Sequence, residues 1–296
     1  ISEHKKFNRE KFETPLAFSE DRILWERSFL ADPITGKIPD NIRLKELMFA
    51  KTLPTDFNQP NALQWTAIGP NNIGGRTRAI AMDINNENII LAGGVTGGLW
   101  RSDNAGISWV KVTKPYQLHN VTCIAQDTRP GKTNVWYYGT GEATGSSASE
   151  SGSYYQGNGV YKSYDGGLTW DSLSVTASNT PHSFDKNWDY MYRIKTDPNN
   201  DSLDIVYAAT YSKIYRSENG GNNWTIVRGN SQTNSSYFTE VDITSSGVVY
   251  ATLSSDGIDG GIWRSANGID YTRIDPPFMP SIFERIVIGI NPSNEN

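Results

Sequence analysis

Glu142 is the carboxylate best placed by its sequence context to do chemistry. It follows the strand-like run VWYYGTG that starts at Val135 and opens the Gly/Ser-rich stretch ATGSSASESGSYYQGNG. A connection longer than a hairpin needs is a common seat of binding or catalysis. Arg76 follows Gly74-Gly75 and can point away from its strand. Arg78, Arg193 and Arg285 recur at intervals beside strand-forming residues in what read as corresponding positions, so a structural role is expected for them. Tyr154, Tyr155, Trp188, Tyr190 and Tyr192 offer aromatic faces that can stack a sugar or pack a partner, although such rings more often fill a core. Arg76, Glu142, Tyr154, Tyr155 and Trp188 together make the candidate binding face. No residue is assigned a catalytic role.

Other chemistries lack the residues they need. His4, His119 and His182 are isolated and have no metal-ligand spacing, so no metal and no other cofactor is expected. Cys123, the single cysteine, sits in the alternation VTCIA and reads as a small buried strand residue. Gly93-Gly94 and Gly97-Gly98 are not followed by a helical pattern, which argues against a phosphate-binding loop. The formal charge of −5, from 27 basic and 32 acidic residues without a basic block, argues against nucleic acid as a partner. No run approaches the length of a membrane span. The first residue is Ile1 and no apolar signal core follows it, so a processed chain is expected.

The elements that must hold these residues differ along the chain. Residues 1–61 read as a helical extension and linker. Ser19 can cap a helix through Ile23, Leu24, Trp25 and Leu30, and Asp40 precedes a second apolar face of Ile42, Leu44, Leu47, Met48 and Ala50 that Pro54 stops. Both helices need a surface to pack against. Residues 62–296 read as strands and turns, in line with 27 Gly, 9 Trp and 15 Tyr in the chain of 296.

An internal repeat organises this second part. GGLWRSDNAGISW, NGVYKSYDGGLTW, SKIYRSENGGNNW and GGIWRSANGIDY align on Ser102, Ser163, Ser217 and Ser265, about 61, 54 and 48 residues apart. Each copy follows a β-rich segment (IILAGG, VWYYGTG, IVYAAT, VVYATL) and an earlier strand with a turn. The unit is therefore strand, turn, strand, loop, strand, turn, strand. RIVIGINPSNEN, from Arg285, matches the opening of a further unit, so the native protein is expected to continue.

Ser163-Tyr164-Asp165-Gly166-Gly167-Leu168-Thr169-Trp170 matches the pattern Ser-x-Asp-x-Gly-x-Thr-Trp. It resembles the Asp-box (BNR) repeat of β-propellers such as sialidases, xyloglucanases and sortilin-type receptors. The other copies carry Asn104, Asn219 and Asn267 at the Asp position, and the last is one residue shorter, with Tyr271 in place of Trp. Asn keeps the acceptor oxygen and tolerates a left-handed backbone, so Ser102, Asn104, Gly106, Trp109, Ser163, Asp165, Gly167, Trp170, Ser217, Asn219, Gly221, Trp224, Ser265 and Asn267 are expected to be structural turn residues. The resemblance implies an all-β Asp-box β-propeller, four blades plus the start of a fifth, behind a short helical N-terminal extension.

The segments Asp32 to Pro54 and Trp65 to Trp109 resemble Bacteroidetes surface proteins exported by the type IX secretion system. That resemblance implies a secreted or cell-surface location outside the outer membrane. It also implies protein partners there or in the secretion machinery, with a glycan as the other ligand class. Sialidases on this scaffold use an arginine triad, which Arg76 and Arg78 do not reproduce. Xyloglucanases of the group place an aspartate before a Gly-Gly pair, where this chain has Val95-Thr96-Gly97-Gly98. A non-catalytic interaction scaffold is therefore the expected function. A glycoside hydrolase with its catalytic residues beyond Asn296 is the alternative.

Overall fold

The computed structural model describes residues 28–53, 75–142, 155–177, 184–229, 236–291 and 293–295. The chain divides into two units, Ile1–Pro54 with Ala143–Tyr154, and Thr55–Glu142 with Tyr155–Asn296. The expected boundary near Asn61, most of the expected first helix, His4, Tyr154 and His182 lie outside the described residues.

In the first unit, Asp32 Oδ1 accepts the amides of Ile34 (2.9 Å) and Thr35 (2.8 Å), which closes the expected turn. Helix α1 (Ile42–Ala50) follows and ends four residues before Pro54. The residue at its N-cap is Asn41, with φ 57° and no side-chain cap, and none of the helix residues is buried.

Among the described residues the second unit has sixteen strands in four antiparallel sheets of four. The first holds β1 (Thr77–Met82), β2 (Ile90–Gly94), β3 (Gly98–Ser102) and β4 (Val110–Lys111). The second holds β5 (Val121–Gln126), β6 (Trp136–Thr140), β7 (Val160–Ser163) and β8 (Asp171–Ser172). The third holds β9 (Met191–Thr196), β10 (Val206–Thr210), β11 (Ile214–Ser217) and β12 (Thr225–Arg228). The fourth holds β13 (Thr239–Ile243), β14 (Val249–Leu253), β15 (Gly261–Ser265) and β16 (Thr272–Arg273). Within each sheet every strand pairs with the next in sequence, and the first strands β1, β5, β9 and β13 neighbour one another in turn. Sheets repeated this way around a common centre are the blades of a β-propeller. The opening segment of the next repeat runs beside β14, where Thr252 Oγ1 donates to Ile286 O at 2.9 Å.

Among the described residues three apolar clusters form the core, one at each junction of the four blades. Leu91 and Leu99 meet Val121, Trp136, Tyr138, Tyr161 and Trp170 between the first two blades. Cys123, Tyr137 and Val160 meet Trp188, Met191, Ile194 and Val206 between the second and third, and Tyr207 and Ile214 meet Val241, Val249 and Leu253 between the third and fourth. The second strands carry both faces of this packing, and all five residues of β6 and all five of β10 are buried. Burial pushes the Cys123 thiol up to about 12, so it acts as a small apolar side chain.

Close approach explains a glycine here. A Cβ on Gly139 would lie 2.6 Å from Cys123 Sγ and 2.8 Å from Met191 Sδ, atoms that belong to the junction of the second and third blades. Gly139→Ala is expected to destabilise the protein by about 1–3 kcal/mol through overpacking, read as a lower urea midpoint with an unchanged slope.

Candidate functional site

The four serine turns join the third strand of each blade to the fourth, and they share one hydrogen-bond pattern. The serine Oγ donates to the Asn or Asp side chain at 2.9 Å (Ser102 to Asn104), 2.7 Å (Ser163 to Asp165), 3.0 Å (Ser217 to Asn219) and 3.0 Å (Ser265 to Asn267). The same Oγ accepts the amides of Gly106, Gly167, Gly221 and, one residue earlier in the shorter fourth copy, Gly268. The indoles of Trp109, Trp170 and Trp224 donate to the carbonyls of Gly106, Gly167 and Gly221. Ala105 holds φ 54° where the second and third copies have Gly166 and Gly220, a left-handed conformation that costs a non-glycine residue about 1 kcal/mol.

These turns are also gripped by the preceding blade. Arg101 Nε donates to Gly166 O at 3.0 Å, and Lys162 Nζ and Tyr137 Oη donate to Gly220 O at 2.9 and 3.3 Å. In each case a basic residue just before one serine holds the turn of the next repeat. The recurrent basic-Ser pair in WRSD, YKSY and YRSE is the sequence signal of this grip. At the third junction Arg216 Nε donates to Tyr207 Oη (3.2 Å), and Arg216 pairs with Glu218 as Arg101 does with Asp103.

The amides of Ala105, Gly166 and Gly220 bond Asn88, Asn134 and Asp204, in the links between first and second strands. The serine turns therefore occupy one end of the strands. Arg76, Glu142 and the segments entering β9 and β13 occupy the other.

That second end carries a cluster of charge. Glu142, 2% exposed, is doubly bonded by Arg76, through Nη1 to Oε1 at 2.8 Å and through Nη2 to Oε2. Arg78 Nε lies 3.7 Å from the same Oε1. Main-chain bonds between Glu142 and Tyr155, 2.7 and 2.9 Å long, fix the carboxylate's position, and Asn120 Nδ2 donates to Gln156 O at 2.6 Å beside them. Fully buried Glu240 repeats the arrangement two junctions on, bonded by Arg193 Nε and, at 3.3 Å, by Arg285 Nη2. Lys195 and Asp242 pair at 2.8 Å, two residues along the same strands. Burial opposes the charge on Arg193, but Glu240 outweighs it and raises the guanidinium above its ordinary range. Burial and the charge of Arg285 hold Arg78 below it.

The strand register corrects the expected equivalence of the arginines. Arg78 is the extra residue of a bulge, as Thr122 and Tyr192 are in their blades, whereas Arg193 takes the ladder position of Ala79 and Cys123. Arg285 lies outside the strands. Trp188 is also corrected. It is buried and stacks on Tyr215 at 4.3 Å and meets Trp224 edge-on at 5.1 Å, so it belongs to the core and not to an open face. Tyr190 and Tyr192 are buried as well, while Tyr155 is exposed. The structure thus brings Arg76, Glu142 and Tyr155 together, leaves Trp188 out, and adds Arg78, Arg193, Glu240 and Arg285. Among the described residues no group of three His, Cys, Asp or Glu is placed to hold a metal ion, and no helix is long and apolar enough to cross a membrane.

No protein-family profile and no curated protein matches the chain. Solved structures do. A GH74 enzyme from Niastella koreensis aligns with 74% of the chain at 20% identity and a TM-score of 0.50, and an ancestral GH74 enzyme with 67% at 23% identity and 0.48. A YCF48 structure with bound D1 peptide aligns with 64% at 12% identity and 0.39. The chain spans 33%, 25% and 51% of these three chains. At such identities the likeness defines the class of fold, a β-propeller, which glycoside hydrolases share with proteins of other activity.

Glu240→Ala would strand Arg193 and Arg285. A loss of about 1–3 kcal/mol is expected, measured by equilibrium unfolding, because the carboxylate is buried while both guanidinium groups keep solvent access. Burial opposes the charge of Asp165, but bonds from Thr169 and Ser163 outweigh it and hold the carboxyl below the usual aspartate range. A depressed folded-state pKa gives stability that is present above the unfolded value of about 3.9 and lost as pH falls through the folded one. Asp165→Asn, which copies the other three turns, is therefore expected to cost little at pH 7 and to flatten the fall in melting temperature below about pH 4.

Proposed function

We propose that this protein is a non-catalytic, secreted or cell-surface Asp-box propeller that acts as an interaction scaffold and reaches the surface as type IX secretion cargo. The observation that carries the reading is the state of the buried carboxylates on the loop-bearing end. Both oxygens of Glu142 and both of Glu240 accept guanidinium donors. Glycoside hydrolysis needs one carboxyl to give its proton to a leaving group and a second to attack or to activate water. A carboxylate pinned on both oxygens by arginine is poorly placed for either role. Val95-Thr96-Gly97-Gly98 supplies no alternative acid. Export is supported by the resemblance of residues 32–54 and 65–109 to type IX cargo. Partners at the outer surface or in the secretion machinery follow from the same reading, with a glycan as the second class.

The purified protein is expected to release no product above buffer from xyloglucan or from a fluorogenic sialoside, and fractionation of a Bacteroidetes host should find it outside the outer membrane. Turnover that disappears in Glu142→Gln or Glu240→Gln would overturn the non-catalytic reading. Retention in the periplasm of a secretion-competent host would overturn the export reading.

A further inference from the structure

At the loop-bearing end, rings from three links meet in one row. Phe184 lies in the link that enters β9, Tyr211 between β10 and β11, and Tyr237 in the link that enters β13. The Tyr211 ring stands 5.2 Å from Phe184 and 5.4 Å from Tyr237, with planes at 77° and 82°. Phe184 is 46% exposed, and Tyr211 and Tyr237 are half-buried. The row is held from beneath, because Phe184 stacks on the buried ring of Tyr190 at 5.1 Å.

An exposed carboxylate belongs to each end of the row. Asp185 follows Phe184 in the chain, and buried Asp189 fixes this stretch by accepting the amides of Asp185 (2.8 Å) and Lys186 (3.0 Å) on Oδ2. At the other end Asp256 Oδ2 accepts the amide of Tyr237 at 2.9 Å, and Ser254 Oγ donates to Oδ1. Burial first, and then the charge of Asp256, raise the Tyr211 phenol above its ordinary range. The lysines nearby are drawn to main-chain carbonyls, Lys186 Nζ to Ala177 O at 3.1 Å and Lys213 Nζ to Gly229 O at 3.5 Å. Arg285 lies beyond the row, 5.7 Å from the Tyr192 ring and paired with Glu240. Rings set nearly at right angles give corners of electron-rich faces and no single flat platform for a sugar. With carboxylates beside them, such corners favour a cation.

We propose that the row of Phe184, Tyr211 and Tyr237 takes a basic peptide segment, whose lysine or arginine side chains lie against the rings with their charges towards Asp185 and Asp256. The inference rests on the scaffold reading and names the partner's chemistry. Long basic side chains suit the row because the alkyl stem covers a ring while the charged head reaches a carboxylate. Carboxylates at both ends, with three rings between them, suit a segment with several charges better than one small cation.

The test uses the whole chain and a fluorescent oligolysine followed by anisotropy, with its lysine-acetylated form and an oligoglutamate for comparison. Oligolysine is expected to bind, more weakly as salt rises, and the other two are expected not to bind. Phe184→Leu keeps an apolar side chain and removes the ring face, so affinity should fall about three- to tenfold. Asp185→Asn and Asp256→Asn should each weaken binding about two- to fivefold. Glu87→Gln, an exposed carboxylate between β1 and β2 at the serine-turn end, should leave it unchanged. If Asp256→Asn melts early, Phe184→Leu and Asp185→Asn decide the matter. No binding by the parent protein, equal binding of the acetylated form, unchanged affinity in Phe184→Leu, or an equal loss in Glu87→Gln would each overturn the proposal. Displacement of oligolysine by an equal concentration of tetramethylammonium would overturn the peptide as occupant. Because turnover is measured separately, absence of peptide binding without hydrolysis removes this inference and leaves the scaffold reading standing.

Discussion

A four-stranded sheet whose second strand is buried on both faces cannot satisfy itself; it needs another sheet against each face. Everything else in the propeller follows from that requirement. It sets the three clusters at the blade junctions, with Trp136, Tyr138 and Trp170 in one and the smaller Ala208, Ala209 and Ala251 in the others. It fixes which glycines are tolerated, since Gly139 sits where a side chain would enter the neighbouring blade. It also brings the first strands side by side, which is the only reason that Arg193 of one blade can reach Glu240 of the next.

The two ends of the strands then do different work. At one end the serine turns close each blade on itself with short local bonds, and at the first two junctions a basic side chain of the preceding blade holds the next turn. At the other, buried charges are paired without being balanced. Desolvating an ion pair is costly, and a well-packed apolar contact would serve the fold as well or better. Arg76, Arg78 and Glu142 therefore read as a cost borne for something other than stability, while the serine turns read as stability alone.

The fold was legible because its punctuation repeats. Ser-x-Asx turns, each after a basic residue and most closed by Trp, recur at blade-length intervals, and local hydrogen bonding explains every one of them. The site was legible only in pieces. Arg76 and Glu142 stood out singly, but their pairing joins residues 66 apart and depends on how two blades meet. Glu240 was passed over because TEVDI reads as ordinary strand alternation. The signal it did carry was an ionisable residue at the ladder position that other blades fill with Ala79 or Cys123. Arg78 and Arg193 looked equivalent because sequence spacing does not reveal a bulge, and one extra residue turns the same side chain to the other side of a strand. Trp188 looked like a loop aromatic because it lies between repeats, where the chain folds back into the core.

The grip of one blade on the next has a direction. Arg101 and Lys162 each reach forward in sequence, to turns 65 and 58 residues later, so every clasped turn is completed by a part of the chain made earlier. A ribosome delivers the receiving cation before the turn that it holds. Each new blade can therefore dock onto a surface that is already folded, and its aromatic face is covered as it emerges. In a repeat protein whose contacts join nearest neighbours, that ordering lets assembly keep pace with synthesis and limits how long an uncovered sheet is open to another chain.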